Sequence, residues 1–166
     1  MWKPSQSRTV VVPREYFFHA VPTGKNRSLP PASLVSGIWV TCVQGEGDGE
    51  LVFSQPWQGT NFDYGSLRPN SNCRSDVYSI RMRGHLLVPA KARVGMAAKA
   101  EGKYRVMIGE TVWLDGMSDG SSRRSVKELK AGYYPIDIEY KHESGPASFE
   151  LKASTQNGAR LAALSQ

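Results

Sequence analysis

The sequence has 166 residues, with 16 Gly, 10 Pro and a formal net charge of +6 from 21 basic and 15 acidic side chains. This length fits one domain with its own hydrophobic core, and the Gly and Pro content favours short strands joined by many turns. No apolar run reaches the roughly 18 residues that a membrane-spanning helix requires, and no apolar segment typical of a secretory signal follows Met1. The localisation stays open between a complex or particle assembled in the cell and an extracytoplasmic site reached after removal of a signal.

Residues 1–36 differ from the rest of the chain, and we expect them to form an extended, basic, Pro-rich arm. Prolines recur through this segment and exclude a central strand or a long helix, because proline lacks the backbone donor. Two short β-like runs contain the predicted docking residues, which are Val10, Val11, Val12, Tyr16, Phe17 and Phe18. The arm either docks on a neighbouring subunit, by strand addition or by filling a pocket, or straps the body of its own chain.

From Gly37 onward, short apolar runs alternate with turn clusters, which is typical of an antiparallel β-sandwich. The predicted strands are 37–43, 50–54, 77–83, 85–88, 92–98, 103–108, 111–114, 124–129, 133–140 and 147–153. This body spans 37–154. A C-terminal tail over 155–166 completes the chain, either with a short helix over 158–164 or as an irregular segment.

The segment 131–140 is the clearest strand of the body, because its apolar and polar side chains alternate after a turn at Gly132. One face of the strand carries Tyr134, Ile136, Ile138 and Tyr140, and the other carries Tyr133, Asp137 and Glu139. Aromatic side chains dominate hydrophobic cores. We therefore expect core positions for Trp39, Tyr104, Trp113 and Phe149.

Four segments in chain order resemble the PA14 family, which is named after a domain of the anthrax protective antigen. Asn61–Gly65 is similar to N-F-D-W-G, with Pro69 downstream, and Tyr78–Leu86 is similar to F-S-V-R-W-x-G-Y-L. Gly102–Asp115 is similar to D-G-x-R-L-x-I-D-G-x-x-V-I-D. The segment 126–151 is similar to L-x-A-G-x-Y-P-I-x-I-E-Y followed by G-x-A-x-x-x-L. The resemblance covers about 37–154 and implies an all-β, PA14-like sandwich of the kind found in adhesins, glycosidases and toxins.

The resemblance also implies where a ligand would bind, since many such modules hold glycans while others support neighbouring domains. In the sugar-binding adhesins, two adjacent aspartates joined by a cis peptide hold a calcium ion that ligates sugar hydroxyls. The corresponding positions here are Ala100 and Glu101. Calcium takes about six to eight oxygen ligands, and Ala100 supplies no side-chain oxygen. We therefore expect neither a metal nor another cofactor.

A carbohydrate-binding module without calcium would stack aromatic side chains on sugar rings and offer polar groups to the hydroxyls. The candidate stacking platforms are Trp57, Tyr64 and Tyr133, with Asn61 and Asp63 as hydroxyl partners.

We predict that the protein is not an enzyme, because no catalytic constellation is visible in the sequence. The three His residues are scattered, and no Ser or Cys lies in a nucleophile-elbow context. Gly45–Gly49 lacks the strand-to-helix context of a phosphate-binding loop. The carboxylates of Asp137 and Glu139 fall on the wet face of a strand, where polar residues are ordinary.

Basic residues form a second patch in the body, namely Lys91, Arg93, Lys99, Lys103 and Arg105. Such patches meet nucleic acid, anionic lipid or an acidic protein surface. Nucleic acid is not favoured as a partner, because no recognised binding motif accompanies the charge.

Cys42 and Cys73 leave two alternatives open. Cys42 lies in a predicted strand and Cys73 in a loop, so a disulfide would tie that loop to the core in an oxidising compartment. Otherwise both are free thiols, buried at Cys42 and exposed at Cys73.

The leading hypothesis is a non-catalytic structural or interaction subunit of a larger multi-protein assembly. A virion, a secretion device or a membrane-bound complex would suit it, with the N-terminal arm docking on other protein subunits. The alternative is a calcium-independent, adhesin-like module whose partners are glycans.

Overall fold

The computed structural model describes residues 8–10, 17–20, 34–46, 49–88, 90–118 and 122–155. Within these ranges the chain forms strands joined by turns and bends, and no helix occurs. The strands are β1 (Arg8–Val10), β2 (Phe17–Ala20), β3 (Leu34–Ser36), β4 (Ile38–Gln44), β5 (Glu50–Trp57), β6 (Phe62–Gly65), β7 (Tyr78–Val88), β8 (Ala92–Glu101), β9 (Lys103–Ile108), β10 (Thr111–Asp115), β11 (Arg123–Leu129), β12 (Gly132–His142) and β13 (Ala147–Thr155).

The strands build two antiparallel sheets. In the smaller sheet β13 pairs with β8, which in turn pairs with β11, while β6 and β1 share the other edge of β13. The larger sheet has the order β10-β9-β12-β7. The far edge of β7 is shared by β4, which pairs with residues 78–83, and by β2, which pairs with 85–86. β5 then extends β4, and β3 extends β2.

Alternation along the strands determines which side chains fill the space between the two sheets. On β12 the inward residues Ile136, Ile138 and Tyr140 are at most 1% exposed, as the sequence pattern predicts. The largest fully buried side chains come from both sheets: Tyr104, Tyr140, Phe149, Ile38, Ile80, Met82, Met96, Leu114, Ile136, Ile138, Val40 and Val106. The predicted all-β sandwich is therefore confirmed.

Each of the ten predicted strand runs coincides with an observed strand, except that Gly37 and Val77 lie just before β4 and β7. The runs 77–83 and 85–88 are one continuous strand, β7, which passes through Gly84. β6 is a strand that the list of predicted runs lacks. Trp39 was expected in the core but is only half-buried, because its neighbours Ile38 and Val40 take the inward positions of β4. Its indole Nε1 donates to Ser54 Oγ at 2.8 Å on the outer face.

Two short strands of the predicted arm pair with strands of the body, and the third, β3, pairs with β2. β1 pairs with β13 from Arg8↔Thr155 to Val10↔Ala153, and β2 pairs with β7 at Phe17↔Leu86 and Phe18↔His85. The predicted docking residues Val11, Val12 and Tyr16 lie outside the described residues, as does the tail beyond Thr155. The backbone at residues 8–10 and 17–20 thus follows the strap alternative, while docking on a neighbour stays a prediction.

The two cysteines are both free and both buried in the core cluster. The prediction of an exposed Cys73 in the free-thiol alternative is wrong, because the loop between β6 and β7 folds back over β4 and leaves Cys73 only 3% exposed.

A membrane-spanning helix, long and apolar enough to cross a bilayer, is not found among the described residues.

Candidate functional site

A cavity of about 710 Å³ lies on the outer face of the smaller sheet, where β6 and β8 flank β13. Phe149 and Leu151 of β13 point inward, so Ser148 and Glu150 point outward. On β8 Ala98 points inward, so its neighbours on that strand point outward. The cavity is lined by Asn61, Phe62, Asp63, Lys99, Ala100, Glu101, Ser122, Ser148, Phe149 and Glu150.

Two hydrogen bonds from backbone N–H groups to side chains hold the β6 wall of the cavity. Asn61 Oδ1 accepts a hydrogen bond from the Leu151 backbone N–H at 3.0 Å, which ties the start of β6 to β13. Asp63 Oδ1 accepts from the Gly65 N–H at 3.0 Å, so its carboxylate stands at a fixed position at the cavity edge. Asp63 is exposed.

The opposite wall is built around Glu101, the last residue of β8. Ser148 Oγ donates to Glu101 Oε2 at 3.2 Å and accepts from the Glu101 backbone N–H at 3.3 Å. The buried Tyr140 hydroxyl donates to the Glu101 carbonyl oxygen from the core side. Burial raises the pKa of Tyr140 well above its ordinary value, so the hydroxyl keeps its proton and its role as a donor.

A row of alternating charges crosses β8 and β13 beside the cavity. Glu150 accepts Lys152 Nζ at 2.8 Å on Oε1 and lies 3.5 Å from Lys99 Nζ through Oε2. The hydrogen bond from Lys152 is the main reason that the pKa of Glu150 is lowered, so this carboxylate is ionised near neutral pH.

A second cavity of about 280 Å³ lies next to the first and shares Lys99, Ser122 and Glu150 with it. The second cavity is also lined by the basic residues Arg123, Arg124 and Lys152. We call the two together the outer groove. Its one end is acidic, at Asp63 and Glu101, and its other end is basic.

A family model described as "PA14 domain" matches residues 47–159, which is more than half of the sequence. The chain belongs to the PA14 domain family. A search of curated proteins returned no match.

Several solved structures have the same fold as this PA14 domain. An anti-sigma factor domain-containing protein from Clostridium clariflavum is 20% identical with a TM-score of 0.65, over 72% of this chain and 42% of that chain. A PA14 sugar-binding domain from an RTX adhesin is 15% identical with a TM-score of 0.58, over 74% and 91%. The Epithelial Adhesin 9 A domain from Candida glabrata, in complex with Galb1-4GlcNAc, is 9% identical with a TM-score of 0.60, over 86% and 88%. This chain spans less than half the length of the anti-sigma factor domain-containing proteins.

The residues of the PA14 domain predicted to correspond to the family's calcium position, Ala100 and Glu101, do not fit that ion. Ala100 packs against the core and offers only a methyl group. The carboxylate of Glu101 is engaged by Ser148. Across the residues that the structure describes, no group of three or more His, Cys, Asp or Glu side chains gathers in a metal-binding arrangement. Calcium needs more oxygen ligands than this set provides.

The structure brings together only part of the predicted sugar-binding set. Asn61 and Asp63 line the cavity, whereas Trp57 and Tyr64 pack inward against Phe62 with ring centroids 6.2 and 5.1 Å from it. Burial raises the pKa of Tyr64 to about 12. Tyr133 is 38% exposed, but it lies on the outer face of the larger sheet, away from the cavity. The aromatic side chains are therefore not arranged as stacking platforms around Asn61 and Asp63.

Four cavity residues were missed by sequence reasoning, namely Lys99, Ser122, Ser148 and Glu150. Strand alternation indicates that Ser148 and Glu150 point outward. Their position beside Asp63 and Glu101 depends on β13 pairing with both β6 and β8, which no local pattern reveals.

The second basic patch is interleaved with carboxylates in the folded domain. Lys91 lies 3.2 Å from Glu128, Lys103 lies 2.8 Å from Glu143 and Arg105 lies 3.4 Å from Asp115. Lys99 pairs with Glu150 in the same way. Each of these pairs reduces the local field that would attract a polyanion.

Proposed function

We propose that this PA14 domain is a non-catalytic module that binds glycan in the outer groove without calcium. The observation that carries the proposal is the cavity of about 710 Å³ with carboxylate, ammonium, amide and hydroxyl groups on its walls. Ligand sites in proteins have volumes of about 300–1,000 Å³ and a few convergent polar groups. Sugar-binding adhesin domains are among the structures that share the fold, which supports the same ligand class here.

The polar groups suit the chemistry of sugar hydroxyls. Asp63 and Glu101 accept hydrogen bonds from hydroxyls, and Lys99 donates to hydroxyl or ring oxygens. Hydrogen bonds to ionised groups are stronger than neutral ones. Phe62 and Phe149 line the floor, but Phe149 is only 1% exposed and offers little ring surface. Because stacking contributes little, we expect weak binding, with a Kd of about millimolar.

Substitutions that keep the wall bonds but remove charge test the proposal. Glu101→Gln retains an acceptor for Ser148, and Asp63→Asn retains the Oδ1 acceptor for the Gly65 N–H. Each should weaken binding at least about tenfold, since a hydrogen bond to a charged group contributes about 1.5–3 kcal/mol and about 1.4 kcal/mol is tenfold. A glycan array first identifies the sugar, and calorimetry then measures Kd with and without EDTA.

The matched control is Glu110→Gln, an exposed carboxylate in the β9–β10 turn outside the cavity. It should bind as the unaltered domain does. An empty array, a loss of binding in EDTA or equal binding by Glu101→Gln and Glu110→Gln would each contradict the proposal.

A second candidate function is a structural subunit that docks on other proteins through its arm. The observation favouring it is that β1 and β2 each add a strand to an edge of a sheet. Strand addition of the same kind joins subunits when the receiving edge belongs to a neighbour. Deletion of residues 1–35 should then remove the domain from its native complex, measured by native purification and mass spectrometry. Unchanged incorporation of the truncated chain would contradict this function.

A further inference from the structure

Cys42 and Cys73 share one buried compartment of the sandwich. Cys42 is 0% exposed at an inward position of β4, and Cys73 is 3% exposed in the loop between β6 and β7. Both belong to the same core cluster, although they come from separate parts of the chain.

The side chain of Gln44 holds the loop over β4. Its Oε1 accepts hydrogen bonds from the backbone N–H groups of Arg74 at 2.5 Å and Ser75 at 3.2 Å. Its Nε2 donates to the Asn72 carbonyl oxygen at 3.2 Å. Gln44 therefore makes hydrogen bonds to the backbone on both sides of Cys73.

These hydrogen bonds of Gln44 bring Cys73 close to Cys42. Gln44 follows Cys42 by two residues on the same face of β4, so their Cβ atoms are about 7 Å apart. A loop anchored to Gln44 on both sides of Cys73 brings that residue within a side chain's reach of Cys42. Burial raises the pKa of Cys42 to about 12, and the charge of a Cys73 thiolate adds to this effect. The electrostatic influence of one sulfur on the other agrees with their closeness.

We propose that Cys42 and Cys73 form an intramolecular disulfide when the protein meets a thiol–disulfide oxidant such as oxidised glutathione. One protein thiolate attacks the oxidant, forms a mixed disulfide and releases one glutathione thiol. The second protein thiolate then attacks the protein sulfur of that mixed disulfide and expels the second glutathione. Two protein thiols are oxidised, one glutathione disulfide is reduced, and the two thiol protons end on the two glutathiones.

The bond forms most readily as the chain folds. In the folded domain both sulfurs are buried, and the high pKa of Cys42 leaves little thiolate to react. While the loop is still open, both thiols are accessible to the oxidant. Closure then encloses β5 and β6 between the two cysteines and restricts the unfolded chain, which stabilises the fold. This inference does not depend on glycan binding.

To test this, the reduced, unfolded full-length chain is refolded in a buffer that contains mostly oxidised glutathione. An alkylating reagent is then added under denaturing conditions. Mass spectrometry should show a monomer that has lost two hydrogens and takes up no alkyl group. The Tm of this form should exceed that of the same protein in dithiothreitol by about 5–10 °C. In Cys42→Ala and Cys73→Ala the Tm should not respond to the redox buffer.

Two alkylated thiols after oxidative refolding would overturn the proposal, as would disulfide-linked dimers in place of the cross-linked monomer. The mass of the unaltered protein decides the matter even if a cysteine variant does not fold.

Discussion

At the scale of single residues, Gly102 shows how the turn between β8 and β9 is tied to the core. Its φ is +132°, and a Cβ at this position would lie 2.5 Å from the Tyr140 hydroxyl oxygen. Gly102→Ala therefore combines backbone strain with a clash against a buried ring. We expect it to lower the free energy of unfolding by about 2–4 kcal/mol, measured by urea denaturation.

Gly109→Ala separates these two effects. Gly109 has a φ of +62°, but a Cβ there would meet nothing within 4 Å. Only the left-handed backbone is then strained, at about 1–2 kcal/mol. Equal losses in the two variants would show that the contact with Tyr140 carries no weight.

His85 is a titratable group whose burial should make the stability of the domain fall at acidic pH. Burial lowers the pKa of His85 from its ordinary value, and its Nδ1 has no hydrogen-bond partner among the described residues. The folded state therefore favours the neutral ring. The contribution of His85 to stability is present above the histidine pKa of the unfolded chain, which is about 6.5. This contribution is lost as the pH falls below that value, because the unfolded chain then binds the proton more readily than the folded one.

Urea denaturation at about pH 7.5 and 5.5 tests this expectation around the ordinary histidine pKa. The unaltered protein should lose more stability between the two values than His85→Gln does. An identical loss in both proteins would exclude His85 as a source of the pH dependence.

At the scale of elements, Gln44 connects β4 to the loop that precedes β7. It makes three hydrogen bonds to backbone groups of residues 72–75 while being only 7% exposed. Gln44→Ala should cost about 2–4 kcal/mol, because it removes three hydrogen bonds that a buried side chain makes to the loop backbone. It should also speed hydrogen exchange of the Arg74 and Ser75 amides.

Gln55→Ala is the control for Gln44→Ala. Gln55 lies exposed on β5, the strand that pairs with β4. Its replacement should change stability by less than about 0.5 kcal/mol. If Gln44→Ala were equally mild, the loop would have to be held by other contacts.

Strands of the body could be predicted from the sequence because each of their patterns is local. In β12 the alternation from Tyr134 to Tyr140 predicts both the strand and its buried face, and Gly132 predicts the preceding turn. β6 has four residues, too few for alternation to be a strong signal, and its pairing with β13 is remote in sequence.

The candidate site was predictable only where a motif carried it. Asn61 and Asp63 lie in the N-F-D-Y-G segment and were predicted as hydroxyl partners, whereas Glu101 was predicted only to mark a position without calcium. Ser148 joins Glu101 only because the two are register partners across β8 and β13. The inward packing of Trp57 and Tyr64 depends on Phe62 pointing into the core, which composition alone does not show.

At the scale of the whole molecule, the inner faces of the two sheets provide stability and the outer faces contact solvent. The inner faces supply a continuous apolar core. The outer faces carry ion pairs such as Arg81–Asp137 at 2.7 Å and Lys103–Glu143 at 2.8 Å, most of whose side chains are exposed. Exposed pairs add about 0–1 kcal/mol each, so the core provides most of the stability. The outer groove can therefore change its polar residues at low cost to the fold.

Because the described core lies between Ile38 and Ala153, the body should fold without the arm. We expect residues 36–155 to give a β-type circular dichroism spectrum and a single cooperative thermal transition, since the core of both sheets is retained. The Tm should fall by a few degrees relative to the full chain, because deletion of β1 and β2 removes their pairing with β13 and β7. Thermal unfolding of the two proteins at equal concentration measures this difference. A broad, non-cooperative transition of the truncated chain would mean that the arm is an integral part of the sandwich.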